Sequence, residues 1–556
     1  MIQNYFKIAW RSLTKNKGFS LINITGLSIG IAACILIAVY ILHESSYDKH
    51  VNNSENVYRL TSSYDDGSRI GWGIHFSANT APTVLNDFDE VLNSGRLMDN
   101  ALFYGAGTNE ISFDNEERQH HEEGFTYADP SMLEIMDIQM IYGDISTALE
   151  APKTVVISKK IADKYFKGEN PIGRVMYLNS NKGEPFTITG VMKDFATNSH
   201  LEYDYLITLI DVEFGEGEQT RWVQNNYFTY TVMKPGTDMA AFDKKLMSTL
   251  LHKYILPANK AAGYAMPEDI ESKVGMVSQP LTDINLKSTQ IDFEASFRSD
   301  IKIIWIFGIV ALFILVIASI NFVNLSTAKS ANRAKEVGLR KVVGSNRGNL
   351  IGQFLTESVL ITIIAFGVGI LLSILLLPYF QDMAGLDLEI PWSTPFFIPS
   401  IFGVAVLVGV LAGLYPSFYL SGFDPINVLK GKLRMGSKSG GLRSTLVIFQ
   451  FTISIILIVG TLVVNQQMDH ILKSKIGFDK EQVIQLYGTN MLNEQVSTFK
   501  EEIKSIPGVS SISISDYLPI EGSKRNGNSY VNEGRDNIDQ AIPGQAWVID
   551  EDYLET

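Results

Sequence analysis

The chain contains a single cysteine, Cys34, which falls inside a long apolar run. Neither a disulfide framework nor a thiolate metal site can therefore form within one chain. Positive charge is also scarce, because 46 Lys and Arg residues face 60 Asp and Glu residues and leave a net charge of −14. That balance argues against nucleic acid as a partner.

A phosphate-binding loop of the form GxxxxGK[ST] is absent as well. The segments GENPIGR and GGLRST are rich in glycine, but they lack the lysine and the spacing that cradle phosphates. The adjacent residues HHEE at 120–123 would diverge on either a helix or a strand, so we expect a solvated loop there and no metal site. We assign no catalytic residue and no bound cofactor or metal to this chain.

Hydrophobic residues, 46% of the total, concentrate in five runs that are each long enough to cross a bilayer. A signal peptide is the alternative for the first run, but that run is longer than a signal sequence needs, and no clear cleavage site follows. We therefore expect an α-helical transmembrane bundle with a large extracytoplasmic α/β domain of two lobes. The predicted division is a cytoplasmic amphipathic segment at 1–18, crossings at 19–42, 300–326, 350–378, 395–420 and 446–466, an outer domain at 43–299, a cytoplasmic loop at 327–349, a short outer loop at 379–394, a cytoplasmic linker at 421–445 and a second outer domain at 467–556.

Charge sets the orientation of these crossings. The N-terminus, the 326–349 loop and the 421–445 loop carry four, six and five basic residues against no, one and one acidic residue. Positive charge stays on the cytoplasmic side of a membrane, so the three segments are predicted to lie inside. The 43–299 region and the C-terminal region then both lie outside.

The stretch KSANRAKEVGLRKVVGSNRG at 329–348 lies between two crossings and is basic and helix-prone. Glu336 and Arg340 stand four apart with the acid first, the favourable order for a helical ion pair. Gly344 offers a helix stop. Ala331, Ala334, Val337 and Val342 predict a thin apolar stripe. We interpret the stretch as an amphipathic helix at the inner membrane surface; the alternative is a basic loop that only fixes topology.

The outer domain alternates strand-like and helical segments: TVVIS, KKIADKYF, GRVMYL and FTITGVM. The C-terminal region opens with similar elements, since FDKEQVIQLY resembles SENVYRLT and WVIDEDYLET resembles FTYADPSMLEIM. If the unit repeats, the natural chain should run to roughly 800 residues with three more crossings. We therefore expect this chain to be a fragment, with a natural end at Thr556 as the alternative.

Two polar features sit close to the crossings. Glu357, the one acid of the third run, is expected at an interfacial position near the inner end of its helix, where an acid costs little. Asp424 and Pro425 fit the N-cap and first position of a helix. They form either local structure alone or a second cytoplasmic contact with a partner.

Four segments together resemble the permease subunits of the MacB/FtsX class of ABC transporters, in the two-unit form. They cover the loop and third crossing, the end of the fourth crossing, the outer domain and the start of the second unit. They read AKEVGLRKVVGSNRGNLIGQFLTESVLI, YPSFYLSGFDPINVLKGK, VVISKKIADKYFKGENPIGRVMYL with FTITGVMKDFATNSHLEYDYLIT, and LRSTLVIFQFTISIILIV.

The resemblance implies a non-catalytic permease in an inner membrane, with a MacB-like periplasmic core domain and a separate ATPase that binds ATP and Mg. Two ATPase copies would dock on a full-length chain, and a periplasmic or outer-membrane protein would be a further partner. The residues implied in ATPase coupling are Arg333, Lys335, Glu336, Val337, Leu339, Arg340, Lys341 and Gly344. Export of a periplasmic peptide, lipoprotein or drug is the implied function; the alternatives are a regulator that activates an envelope enzyme and a membrane-anchored sensor.

Overall fold

The computed structural model describes residues 2–556 except 66, 101–102, 115–118, 180, 264–265, 293, 295–297, 329, 423–437, 475–481, 517–526, 531–532 and 534–541. Its helices are α1 Ile2–Lys15, α2 Lys17–Glu44, α3 Thr80–Asp87, α4 Ser131–Ile135, α5 Lys159–Phe166, α6 Met239–Thr249, α7 Leu256–Ala261, α8 Ile270–Lys273, α9 Ile284–Lys287, α10 Ile301–Ala328, α11 Ser330–Val342, α12 Arg347–Ala384, α13 Phe397–Ser421, α14 Lys438–Lys473 and α15 Val496–Lys504.

The strands are β1 Val57–Asp65, β2 Ile70–Gly73, β3 Val91–Met98, β4 Gly107–Phe113, β5 His120–Ala128, β6 Met140–Tyr142, β7 Thr154–Ser158, β8 Val175–Leu178, β9 Pro185–Met192, β10 Tyr205–Thr208, β11 Phe228–Met233, β12 Val274–Pro280, β13 Gly527–Tyr530 and β14 Ile542–Gln545. A π-helical stretch, Leu250–Ile255, joins α6 to α7. Short 3-10 helices occur at Ser54–Asn56, Glu218–Thr220, Leu281–Asp283 and Thr489–Gln495.

The chain divides into two compact units. One comprises residues 1–45 and 301–482, and the other comprises residues 46–300 and 483–556. Within the described part of the chain, five helices are long and apolar enough to cross a membrane, and all lie in the first unit: α2, α10, α12, α13 and α14. These helices lie over the five predicted crossings.

Helices α2, α10, α12 and α13 share one buried apolar cluster, to which Leu27, Phe322, Ile361 and Ala412 contribute one from each helix. The loop after α12 adds Leu388, which is completely buried in the same cluster. Helix α14 contacts α10, but most of its apolar side chains are exposed. Apolar side chains are needed on every side of a membrane helix, so these exposed faces suit lipid.

Two elements of this unit differ from the sequence-based expectation. Helix α12 runs through Pro378 to Ala384, six residues past the predicted end of the third crossing, and stops where Gly385 takes a left-handed conformation. In α1, the residues Phe6 and Trp10 are exposed as a membrane-surface helix requires, whereas Leu13 is buried against the bundle. The predicted single apolar face of α1 is therefore divided between two environments.

The second unit is built on a sheet of twelve strands in the order β10-β7-β9-β8-β4-β5-β3-β11-β1-β12, with β2 beside β1 and β6 beside β9. Strand β10 pairs with both β7 and β5, which closes six strands into a ring. An apolar cluster that includes Phe125, Ile188 and Tyr205 forms a core at this ring. Two further apolar clusters are built on the sheet, one of them on strands of both the ring and the open part and the other on β1, β3 and β11.

Local sequence explains why strand β7 of the ring is followed directly by helix α5. The segment TVVIS forms the fully buried strand β7, and Ser158 then caps α5 by accepting a hydrogen bond from the backbone amide of Ile161. Lys167 ends that helix in a left-handed conformation. The predicted strand and helix segments of this region are confirmed, as is the predicted fold class.

The residues HHEE at 120–123 begin strand β5, so the expectation of a solvated loop is wrong. Glu122 is buried because it accepts hydrogen bonds from Lys164 (2.5 Å) and from the hydroxyl of Tyr165. Among the described residues, no group of three or more His, Cys, Asp or Glu side chains is suited to hold a metal ion.

Candidate functional site

The basic stretch between the second and third crossings forms helix α11, as the sequence predicts. The Arg340 guanidinium lies 2.6 Å from the Glu336 carboxylate, which confirms the predicted ion pair. The helix ends in a Schellman motif: the amide of Ser345 donates to the carbonyl of Arg340 and that of Gly344 to Lys341. Gly344 has a φ of 101°, which a residue with a side chain rarely adopts.

One side of α11 is held by its neighbours. Val337 is buried in a cluster with Leu350 and Phe354 of α12 and Leu420 of α13. Arg340 also donates a hydrogen bond to the side-chain oxygen of Gln353, a buried residue of α12. Since Arg340 binds both Glu336 and Gln353, the helix is tied to the third crossing by apolar and polar contacts together.

The other side of α11 is exposed and carries an apolar patch next to the exposed Glu336. Leu339, Val342 and Val343 are 59%, 62% and 81% exposed. Their spacing of three and four residues places them on one helical face. The predicted stripe is therefore wrong at Val342, since it points away from the packed face that holds Val337. Five residues separate the two, which is about 140° around a helix.

The remaining predicted site residues are placed as follows. Glu336 is exposed and Lys341 is half-buried. The side chains of Arg333 and Lys335, like those of Ala331 and Ala334, lie outside the described part of the structure. Asp424 and Pro425 also lie outside the described residues. The structure thus brings together Glu336, Val337 and Arg340, and it places Leu339 with Val342 and Val343.

Sequence reasoning missed how the N-terminal helix joins this site. Glu357 is buried, and it accepts a hydrogen bond of 2.8 Å from the Ser12 hydroxyl of α1. The Tyr5 hydroxyl donates to the side-chain oxygen of Asn349 in the first turn of α12, at 3.3 Å. The first turns of α12 therefore contact α1 on one side and α11 on another. The available signal was Gln353 and Glu357, two polar residues four apart in an apolar run.

A close helix contact holds α13 against α12. A Cβ atom on Gly413 would lie 2.7 Å from the Cβ of Ser358, nearer than two such atoms can come. Small residues at a membrane helix interface allow this approach, and dispersion contacts then stabilise it. Helices α12 and α13 therefore approach each other closely at Ser358 and Gly413.

Comparison with known proteins agrees with this architecture. The model described as MacB-like periplasmic core domain matches residues 20–248. The model described as FtsX-like permease C-terminal matches residues 308–425, which include α11 and the α12–α13 pair. Together the two models account for more than half of the chain.

Individual relatives are distant. The macrolide export ATP-binding/permease protein MacB of Hahella chejuensis is 22% identical over 438 residues, covering 76% of this chain and 59% of that protein. The uncharacterized ABC transporter permease YknZ of Bacillus subtilis is 24% identical over 289 residues, covering 50% of this chain and 61% of that protein. The chain thus spans less than two thirds of the length of these relatives.

Among solved structures, the periplasmic region of MacB from Actinobacillus actinomycetemcomitans is similar with a TM-score of 0.26 and 12% identity, over 39% of this chain and 97% of that one. The order of the two matched domains, the five apolar helices and the relatives agree with one another. The chain belongs to the MacB/FtsX class of ABC transporter permeases, and its residues 20–248 match the MacB-like periplasmic core domain.

Proposed function

We propose that this chain is a mechanotransmission permease: a separate ABC ATPase docks on α11, and its ATP-driven motion passes through the crossings to the periplasmic domain. The observation that carries the proposal is the two-sided character of α11. One side is fixed to α12 and α13 through Val337 and Arg340, and the other presents Leu339, Val342 and Val343 to a partner. A partner that moves α11 from its exposed side would therefore also move α12, to which α11 is attached.

The proposed setting is an inner membrane with α11 on the cytoplasmic face. The basic segments at 1–18, 326–349 and 421–445 support that orientation. The ATPase is proposed as a partner polypeptide, and the 556 residues of this chain contain no GxxxxGK[ST] loop. Two ATPase copies would serve a full-length protein with two such units.

The proposed work is export of a periplasmic substrate. Relatives bear the names macrolide export and pyoverdine export proteins, which support export as the class of function. The crossings hold few ionisable groups, so we infer that the helices carry force rather than a substrate path. Regulation of an envelope enzyme is the rival, and partners captured from intact envelopes separate the two: an outer-membrane channel supports export and a hydrolase supports regulation.

The test replaces the exposed face of α11 by polar residues. The variant Leu339→Ser with Val343→Ser should keep the bundle contacts of α11 and lose the apolar contact with the ATPase. Stimulation of ATP hydrolysis is measured in liposomes with the ABC ATPase that co-purifies with the native chain. We expect stimulation to fall by about tenfold or more, because buried apolar anchors dominate interface energies.

Two further variants make the test specific. Leu92→Ser changes a side chain of similar exposure in the periplasmic unit, and it should leave stimulation unchanged. Glu336→Ala with Arg340→Ala should weaken stimulation by loosening α11 from α12. Unaltered assembly and unaltered stimulation in the Leu339 and Val343 variant would remove α11 from the coupling role.

A further inference from the structure

The second unit, which contains the periplasmic core domain and is here called the periplasmic unit, has a buried polar network. The network joins the segment that follows α2 to the segment that precedes α10. Asp48 lies four residues after the end of α2, and Arg298 lies three residues before the start of α10. Both side chains are buried, and both contact His200. The Asp48 carboxylate binds the backbone amide of His200 at 3.0 Å and its Nδ1 at 2.9 Å, while Arg298 donates to the carbonyl of His200 at 3.1 Å.

The same network reaches strands β11 and β1, of which β1 lies next to the terminal strand β12 of the sheet. The other ring nitrogen of His200 lies 2.9 Å from the hydroxyl of Tyr230 on β11. Tyr230 is the register partner of Arg59 on β1. Arg59 donates two hydrogen bonds of 2.7 Å to the two carboxylate oxygens of Glu294, which also lies 3.5 Å from Arg298. The hydrogen-bonded path therefore connects the two chain ends with two adjacent strands.

The charges in this network balance, since two carboxylates face two guanidinium groups beside His200. Arg59 is 1% exposed, and burial of such a charge is unfavourable unless it is paired. Replacement of a buried ion pair by apolar side chains of the same volume is often neutral or stabilising, so a buried pair is weak evidence for a role in stability. Ion pairs, unlike apolar contacts, fix the geometry between the groups that they join.

We propose that the network of Asp48, His200, Tyr230, Arg59, Glu294 and Arg298 is a rigid joint that fixes both ends of the periplasmic unit to strands β1 and β11. The use of this joint in passing motion from the crossings to the sheet rests on the function proposed above. The joint itself is a property of the chain alone and is measured without an ATPase.

The first measurement is amide hydrogen exchange of the full chain in nanodiscs without nucleotide. Glu294→Gln removes one charge near α10 and keeps the shape of the side chain. If the joint is one unit, amide exchange should become about tenfold faster or more at residues 46–50, which follow α2, and in β1 and β11. Asp48→Asn should produce the reciprocal effect at residues 298–300, and it serves if Glu294→Gln does not fold.

The control is Glu90→Gln, which breaks the exposed ion pair with Lys245 in the same unit. It should change exchange only near residue 90. If Glu294→Gln or Asp48→Asn also changes exchange only within a few residues of the substitution, the joint does not exist and the inference is overturned.

The second measurement adds ATP to the complex of native chain and co-purifying ATPase. Exchange in β1 and β11 should change by severalfold in the native chain, and Glu294→Gln should abolish that response. An equal response in the variant would contradict transmission through this joint. Absence of any response in the native chain would contradict the proposed function instead, while the first measurement still decides whether the joint exists.

Discussion

At the scale of single residues, the periplasmic unit holds two titrating groups with opposite effects. Burial lowers the pKa of His75, whose ring packs against Phe228, from 6.5 to about 4. Burial raises the pKa of Asp99 from 3.8 to about 6, although the hydroxyl of Tyr203 donates a hydrogen bond to it. Both groups therefore change their charge in the same pH range, between about 4 and 6.

The signs of the two contributions follow from where the proton binds. Between pH 6.5 and 4 the unfolded chain protonates His75 and the folded chain does not, so acid destabilises the fold. Between pH 3.8 and 6 the folded chain keeps a proton on Asp99 that the unfolded chain has lost, so acid stabilises the fold. In the native protein the two contributions largely cancel.

Asp99→Asn should expose the His75 contribution. The free energy of unfolding should then fall by about 2 kcal/mol more than in the native chain as the pH goes from 6 to 4. Thermal unfolding of both proteins across this pH range checks the difference. Parallel pH profiles for the two proteins would show that Asp99 does not titrate as its burial implies.

At the scale of elements, the packing of α12 against α13 determines how the site is held. Gly413→Leu places a side chain where Ser358 already lies, so the two helices must separate. We expect the free energy of unfolding to fall by about 2 kcal/mol or more, because overpacking of a well-filled interface usually has this effect. The melting temperature of the chain in nanodiscs measures this loss.

The same helix supplies its own control. Gly403 has no atom within 4 Å of the position of an added Cβ, so Gly403→Leu should leave the melting temperature nearly unchanged. Equal effects at both positions would mean that the close approach of α12 and α13 is not what stabilises the pair.

The order and type of the helices and strands could be predicted because they depend on local sequence patterns. Long uncharged runs became helices, and TVVIS followed by KKIADKYF became a buried strand and a capped helix. The ion pair between Glu336 and Arg340 was predictable for the same reason, since four residues on one helix set the distance.

What the sequence did not reveal depends on contacts between distant segments. Gln353 meets Arg340 only because the turn between α11 and α12 brings together two side chains that lie thirteen residues apart. Glu357 is buried because α1 covers it, which an acid near the end of an apolar run does not indicate. The stripe on α11 failed at Val342 because its spacing from Val337 was not helical.

At the scale of the whole molecule, the account joins a membrane unit and a periplasmic unit in a family of ABC permeases. Force transmission requires the two functional parts to lie on opposite sides of the bilayer: α11 with the energy source, and the sheet with the substrate. If both lay on one side, no crossing would need to move. The central claim is therefore one of sidedness.

Sidedness can be measured directly because the chain has one cysteine, Cys34, which is changed to Ser to give a background without thiols. Leu92→Cys then marks the periplasmic unit and Leu339→Cys marks α11; both positions are more than half exposed. Spheroplasts that produce this chain in excess over its ATPase, so that α11 stays uncovered, are treated with a membrane-impermeant maleimide before and after permeabilisation. We predict that the cysteine at 92 reacts at once and the cysteine at 339 reacts only after permeabilisation; immediate reaction at 339, or protection at 92, would contradict the account.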